Sequence, residues 1–199
     1  MVQSVRKHPI TGIRSLREDW VEWAGRAGPV EMVVKQPELS DYSKVMAGAQ
    51  KCSPRTIKRY TQVDMPTKKP TDPRTICDYP RFKRGDLGFL FLVMLIDGDV
   101  VGFGRHYYAP ASELDMYGVD NPDSILAECS LCIADPYQGK GLGTLYGLIN
   151  KAVCRDLGAE YLVGTTYTRG GMMKIRQRDG FDIVDVLPDG KQCRVRGRL

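Results

Sequence analysis

The stretch Tyr137-Gln-Gly-Lys-Gly-Leu-Gly143 places three glycines at alternate positions, directly after an apolar run and directly before a helical pattern. A strand, glycine turn and helix in that order present unpaired backbone N–H groups at the positive end of a helix, which is an anion site. Glycine lets the backbone approach a phosphate with no Cβ in the way. A Walker A loop needs four residues between its first glycine and Gly-Lys-Ser/Thr, but here Lys140 precedes the second glycine of a shorter turn. A dinucleotide fingerprint needs its third glycine one place beyond Gly143 and an early βαβ unit, and neither is present. The remaining pattern, Gln/Arg-x-x-Gly-x-Gly/Ala, is met by Gln138, Gly141 and Gly143.

Other reactive side chains give weaker signals. The six cysteines are scattered through apolar patterns rather than clustered as a secreted disulfide framework, so reduced, mostly buried thiols are expected. Cys129 and Cys132 have metal-like spacing, but on a strand residues three apart point to opposite faces, and no second ligand pair accompanies them. No metal is expected. His8 and His106 are the only histidines, and His106, beside tyrosines in a strand, reads as packing or substrate contact. The net charge of +5 suits nucleic acid, an acidic protein surface or a polyphosphate cofactor alike. The basic residues are not interleaved with a stripe of stacking aromatics, which argues against nucleic acid.

At the glycine turn the sequence resembles the GNAT superfamily of acyl-CoA-dependent N-acyltransferases, whose signature loop holds the CoA pyrophosphate. Residues 127–181 are similar to the core of bacterial Pat-type protein-lysine acetyltransferases: an Ala-Glu strand, Asp-x-x-Gln-Gly-x-Gly-x-Gly, a helix, a strand, and a Met-containing helix ending at Gly180-Phe181. A weaker likeness runs upstream through Ser53-Pro54, Arg59-Tyr60 and VVGFGRHYY, so that it covers about residues 30–186.

The resemblance implies an N-acetyltransferase that moves an acetyl group from acetyl-CoA to a primary amine by direct attack, the amine belonging to a protein lysine or N-terminus. A small-molecule amine acceptor and a catalytically silent acyl-CoA-binding module stand as alternatives. A lysine amine titrates near ~10.4 and attacks only when neutral, so a base is useful at pH 7. Glu128, ten places before Gln138, matches the acidic strand residue that the resemblance implies is this base. The same comparison assigns the backbone at Leu131, Cys132 and Ile133 to the pantetheine arm and thioester carbonyl. It assigns Gln138, Gly139, Lys140, Gly141, Leu142, Gly143 and Thr144 to the pyrophosphate. Two positions depart from the pattern: Arg169 stands where many members have Asn, and Arg176 where many have the Tyr that protonates the thiolate. Arg169 is then a candidate contact to a CoA phosphate, and Tyr167 a weaker candidate acid.

These residues need elements to hold them. Ser15-Leu-Arg-Glu18 has capping-box spacing, and Leu16, Trp20, Trp23 and Ala24 follow on one helical face, which predicts an N-terminal helix before Gly28. Residues 30–35 read as a strand and 41–50 as a helix, with a second short helix through Ile57 and Tyr60. Four prolines between 61 and 86 forbid a long helix or central strand, leaving a basic loop that is either a solvated segment or a substrate-contacting lid. Residues 88–96 and 100–108 form two strands about an Asp97-Gly98 turn, and 125–133 another. Leu142, Leu145, Tyr146, Ile149, Ala152 and Val153 recur at helical spacing up to Gly158. Strand (161–166), helix (171–178), strand (181–186) and strand (191–195) complete the chain, and Met172, Met173 and Ile175 read as core packing.

The pattern predicts a mixed sheet with helices on its faces. With the resemblance the expected class is α+β, a three-layer arrangement whose mostly antiparallel central sheet has helices on both faces and a splayed-strand cofactor cleft. Residues 1–29 form a helical extension in this reading, and 30–199 the acetyltransferase domain. The composition, 42% hydrophobic and 27% charged, is that of a soluble globular protein. No run approaches the ~20 apolar residues of a membrane span and no apolar h-region opens the chain, so a cytoplasmic location is expected.

Overall fold

In the computed structural model, which describes residues 2–56, 88–109, 111–169 and 171–199, the turn at Asp97-Gly98 joins two long strands. Both residues take positive φ, +52° and +79°, the geometry whose twist matches flanking antiparallel strands. We number the strands β1 (Ile10–Ser15), β2 (Glu22–Ala27), β3 (Val30–Lys35), β4 (Gly88–Ile96), β5 (Asp99–Ala109), β6 (Leu126–Ile133), β7 (Tyr161–Tyr167), β8 (Asp182–Val186) and β9 (Gln192–Arg198). The helices are α1 (Tyr42–Gln50), α2 (Leu142–Asp156) and α3 (Gly171–Arg178). The loop expected over 61–86, and the part of the second short helix beyond Thr56, lie outside the described residues.

The described residues fall into two compact units, one drawn from Met1–Lys83, Leu90–Arg105 and Ser130–Val153, the other from Arg84–Phe89, His106–Cys129 and Cys154–Leu199. In the first, the strand order is β1-β2-β3-β4-β5-β6, with β1–β2, β2–β3 and β3–β4 antiparallel. Along β3 the residues Val30, Met32 and Val34 are buried and alternate with partly exposed ones, the signature of a sheet face on a core. Leu90 to Ile96 of β4 are all buried, so this strand is covered on both faces. Leu142, Leu145, Ile149 and Val153 of α2 are buried at helical spacing, each contributing about 1.5–3 kcal/mol of apolar burial. Ile149 packs where Gly25 leaves room: a Cβ on Gly25 would lie 2.7 Å from Ile149 Cγ1.

The N-terminal segment is where the sequence misleads. Instead of a helix, it forms β1 and β2, with Trp23 opposite Val34 and Ala27 opposite Val30 in an unbroken register with β3. The Ser15 hydroxyl donates to the Arg17 carbonyl rather than capping a helix, and Trp20 Nε1 donates to the Gln36 carbonyl at 3.0 Å. Pairing along a whole strand outweighs a helical spacing of four apolar residues whose intrinsic preference is small.

In the second unit the order is β6-β7-β9-β8. β6 and β7 are parallel, whereas β7–β9 and β8–β9 are antiparallel, so the sheet is mixed and mostly antiparallel, the expected class. Gly158, at φ +88°, closes α2: its N–H donates to Arg155 and the Ala159 N–H to Cys154. Leu114, Tyr117, Val119, Leu126 and Val163 form a buried cluster edged by Tyr161. Among the described residues no helix is long and apolar enough to cross a membrane.

Candidate active site

The parallel ladder between β6 and β7 pairs Leu126 with Tyr161, Ala127 with Leu162 and Glu128 with Val163. It ends at Glu128 among the described residues, although β6 runs on to Ile133. A strand that loses its neighbour leaves backbone donors and acceptors for something else to satisfy. In the same stretch the Ser130 hydroxyl is buried with no hydrogen-bond partner among the described residues, where a buried hydroxyl ordinarily has one.

Beyond β6, in the first unit, lies the turn that the sequence reading assigns to an anion. Gln138 is fixed from three sides: its Nε2 donates to the Ile133 carbonyl at 2.8 Å, to Thr56 Oγ1 at 3.2 Å and to Asp135 Oδ1 at 3.3 Å. Thr56 Oγ1 in turn donates to Asp135 Oδ1 at 2.6 Å. That bond, with help from Ser53, holds the Asp135 carboxyl below its usual range. Gly139 and Gly141 take φ of +73° and +89°, which L side chains rarely adopt. The Lys140 carbonyl accepts the Val5 N–H at 2.8 Å, so across the planar trans peptide the Gly141 N–H points the opposite way. The N–H groups of Thr144 and Leu145 turn back to the Gly141 carbonyl. Those of Leu142 and Gly143, in the first turn of α2, have no helical carbonyl to reach.

Glycine at 141 also serves the protein's own packing. A Cβ there would lie 3.1 Å from Val5 Cγ2 and 3.0 Å from Arg6 Cγ, so its absence makes room for the N-terminal segment that backs the turn. Val5, Arg6 and Thr56 were not foreseen, since 80 or more residues separate them from the turn in sequence. Lys140 Nζ stands 5.8 Å from the Tyr137 ring centroid, whose other near cation is Lys51 at 5.4 Å. Leu131 Cδ2 lies 3.5 Å from the Cβ position of Gly143. Cys132 is buried with its Sγ 3.9 Å from Cys52 Sγ; the contact lowers the Cys52 thiol and, with burial, raises that of Cys132. Leu131 and Ile133 thus lie against the turn, through Gly143 and Gln138 respectively, while the Cys132 side chain faces Cys52.

Glu128 and Arg169 belong to the second unit. Half-buried Glu128 lies close enough to Tyr107 and Tyr117 to act on both. Burial, then Glu128 and Glu113, push the Tyr117 phenol up to about 12. The charge of Glu113, with burial and a smaller effect of Glu128, raises Tyr107, whose hydroxyl donates to Glu113 Oε1 at 3.4 Å. Two carboxylates thus act on the same two phenols, and nothing in the sequence marks Glu113, which sits in a polar stretch without a motif. Arg169 is exposed just past β7. The Arg176 guanidinium lies 4.4 Å from the Phe181 ring centroid; a guanidinium keeps its protons, so this position holds no acid. Tyr167 is 61% exposed.

A group combining a pyrophosphate with an amide-bearing arm fits these features: a helix N-terminus whose first N–H groups have no helical carbonyl, a strand whose ladder ends, and a buried hydroxyl with no partner among the described residues. At the sequence level no curated protein matches the chain. Solved structures share its fold. The GNAT domain of S. lividans PAT is 18% identical, with 85% of this chain and 91% of that one covered at a TM-score of 0.63. YncA, a putative acetyltransferase from Salmonella typhimurium solved with its cofactor acetyl-CoA, is 15% identical, with 84% and 94% covered at 0.51. The PaiA N-acetyltransferase from Thermoplasma acidophilum, solved in complex with coenzyme A, is 14% identical, with 84% and 99% covered at 0.50. The profile of the acetyltransferase (GNAT) family matches residues 55–168, more than half of the sequence, and the chain belongs to that family.

Proposed function

We propose that the protein transfers an acetyl group from acetyl-CoA to a primary amine by direct attack, with Glu128 as the general base and a protein lysine or N-terminus as the acceptor. When bound, acetyl-CoA supplies the thioester whose carbonyl carbon the amine attacks. The observation that carries the reading is the end of the β6–β7 ladder at Glu128, followed within one strand and one turn by the cradle at Gln138–Thr144.

The chain's own groups divide the work. Backbone N–H groups of Gly141, Leu142 and Gly143 bind the pyrophosphate, and Gln138 fixes the turn that carries them. The backbone at Cys132 and Ile133 orients the arm and polarises the carbonyl. Arg169 meets a phosphate from its exposed position. Glu113 and Glu128 together attract the cationic form of the amine. The Glu128 carboxylate then accepts its proton, directly or through water. At pH 7 only about one lysine amine in 2,500 is neutral, so removing this proton in place is worth roughly 10²–10⁴ in rate. No side-chain acid is required, because a thiol of ordinary pKa near ~8.5 leaves readily as the thiolate.

The acceptor class is tested by incubating the chain and acetyl-CoA with lysine peptides, peptides with free N-termini and a panel of small amines. Acetylated products are then read by mass spectrometry. Turnover on peptides above that on small amines supports the reading. Turnover confined to small amines moves the acceptor to that class, and turnover on none removes the transferase assignment.

A further inference from the structure

We propose that His106, Cys129 and Cys154 form a zinc-binding site in the second unit. The residues come from β5, β6 and the C-terminal end of α2. Cys129 Sγ lies 4.0 Å from Cys154 Sγ, Cys154 Sγ lies 3.7 Å from His106 Nδ1, and all three ligand atoms lie within 4.8 Å of one another. Bonds of about 2.3 Å to sulfur and about 2.0 Å to nitrogen set neighbouring ligands of a tetrahedral or trigonal zinc about 3.5–4.0 Å apart. The Cys129–Cys154 and Cys154–His106 edges already lie in that range, and the Cys129–His106 edge, within 4.8 Å, has to close by up to about 1 Å. Tyr108 Oη, 3.2 Å from His106 Nδ1 and 3.7 Å from Cys154 Sγ, is an oxygen within reach of a fourth position, which water can also take.

The chemistry of the three donors selects the metal. Two thiols and an imidazole are a soft nitrogen–sulfur set suited to zinc or to monovalent copper. His106 and Cys154 are fully buried, and a net charge in such a place is costly. Zinc with two thiolates and a neutral imidazole sums to zero, whereas copper(I) leaves one negative charge. Binding releases the two thiol protons to solvent and forms two Zn–S bonds and one Zn–N bond, with no change of oxidation state. Without metal, burial holds the Cys154 thiol well above its ordinary range, so the cation itself must supply the drive to deprotonate. A disulfide explains the cluster less well. It would require the sulfurs to close from 4.0 Å to about 2.0 Å, and it gives no role to an imidazole nitrogen facing Cys154.

Strand geometry sets Cys132 apart from Cys129, as expected from the sequence, but gives no hint of the actual neighbours. Cys132 turns to Cys52, and the residues proposed to share a metal with Cys129 lie 23 and 25 positions away in sequence. Since Cys129 follows Glu128 directly, metal here pins β5, β6 and α2 beside the residue proposed as base.

The test uses the full chain, reduced with a phosphine and stripped of metal. One equivalent of cobalt(II) is expected to give an intense thiolate-to-cobalt charge-transfer band and the visible bands of a four-coordinate ion, which one equivalent of zinc then abolishes. His106→Ala, Cys129→Ser and Cys154→Ser are each expected to weaken zinc by more than about 100-fold, the upper range for losing a group that merely orients a ligand. Cys193→Ala is expected to keep wild-type affinity. Absence of the charge-transfer band in the wild-type chain overturns the proposal, as does unchanged affinity in all three variants or uptake of copper(I) without zinc. The wild-type spectrum decides the matter even if a variant fails to fold.

Discussion

Gly141→Ala separates the two reasons a glycine can sit in an anion cradle. At φ +89° an alanine costs about 1–2 kcal/mol. Its Cβ would also come within 3.0–3.2 Å of Arg6 Cγ, Val5 Cγ2 and the Arg6 backbone nitrogen, which must retreat by a few tenths of an ångström and strain the Val5 N–H bond to the Lys140 carbonyl. The total is about 1–3 kcal/mol. If the turn holds its shape, the loss is read as stability. If the turn relaxes in the free protein, binding must restore it, and the loss is read as acetyl-CoA affinity, about 5- to 160-fold. The sum of the two losses is fixed, so urea denaturation and calorimetric titration must be done on the same variant. Gly143→Ala is the control. Gly143 has no positive φ, its Cβ would meet only Leu131 Cδ2 at 3.5 Å, and alanine is the better helix former by up to about 1 kcal/mol. It is expected to keep affinity and to be as stable as the parent or slightly more so. A Gly141→Ala chain within about 0.5 kcal/mol of wild type in both measurements, or a Gly143→Ala chain equally damaged, would show that position 141 has no specific need of glycine.

Three further outcomes follow from the site. The Tyr117 phenol titrates near 12 when folded and near ~10 when unfolded. Its contribution to stability is therefore complete below pH ~10 and lost as pH rises toward ~12, by roughly 2–3 kcal/mol; denaturation across that window should show a smaller fall in Tyr117→Phe. Thr56→Val removes the main hydrogen bond that lowers Asp135, so the Asp135 carboxyl should titrate higher by NMR, and an unmoved titration contradicts the network around Gln138. Glu113→Gln should raise KM for a cationic acceptor by about 2- to 5-fold, the effect of a partly screened charge, with kcat nearly unchanged; a fall in kcat alone counts against an attracting role.

The parts of the fold legible in the sequence are those with local causes. The β4–β5 hairpin follows from Asp97-Gly98 between apolar runs, and α2 from one apolar stripe closed by Gly158. β1 and β2 were missed because Leu16, Trp20, Trp23 and Ala24 carry a helical spacing, while the pairing of Trp23 with Val34 that overrides it is set by the neighbouring strand. At the site, the glycine spacing and Gln138 were legible, and Gln138 does tie the turn to the end of β6. Its partner Thr56, the backing by Val5 and Arg6, and the carboxylate of Glu113 had no motif to mark them. The opposite facing of Cys129 and Cys132 followed from strand geometry, but their partners Cys154 and Cys52 did not.

The proposed role of Glu128 is to remove the proton from the attacking amine without holding the cosubstrate. It is tested most directly by measuring, on wild type and Glu128→Gln, both acetyl-CoA affinity by calorimetry and the rate of thiol release with an accepted amine across pH 6 to 10. Glu128→Gln is expected to keep acetyl-CoA affinity and to lower kcat by about 10²- to 10⁴-fold near pH 7, with the deficit shrinking as pH rises and the amine deprotonates unaided. Wild-type turnover in the variant, or a loss that tracks weakened acetyl-CoA binding, contradicts it.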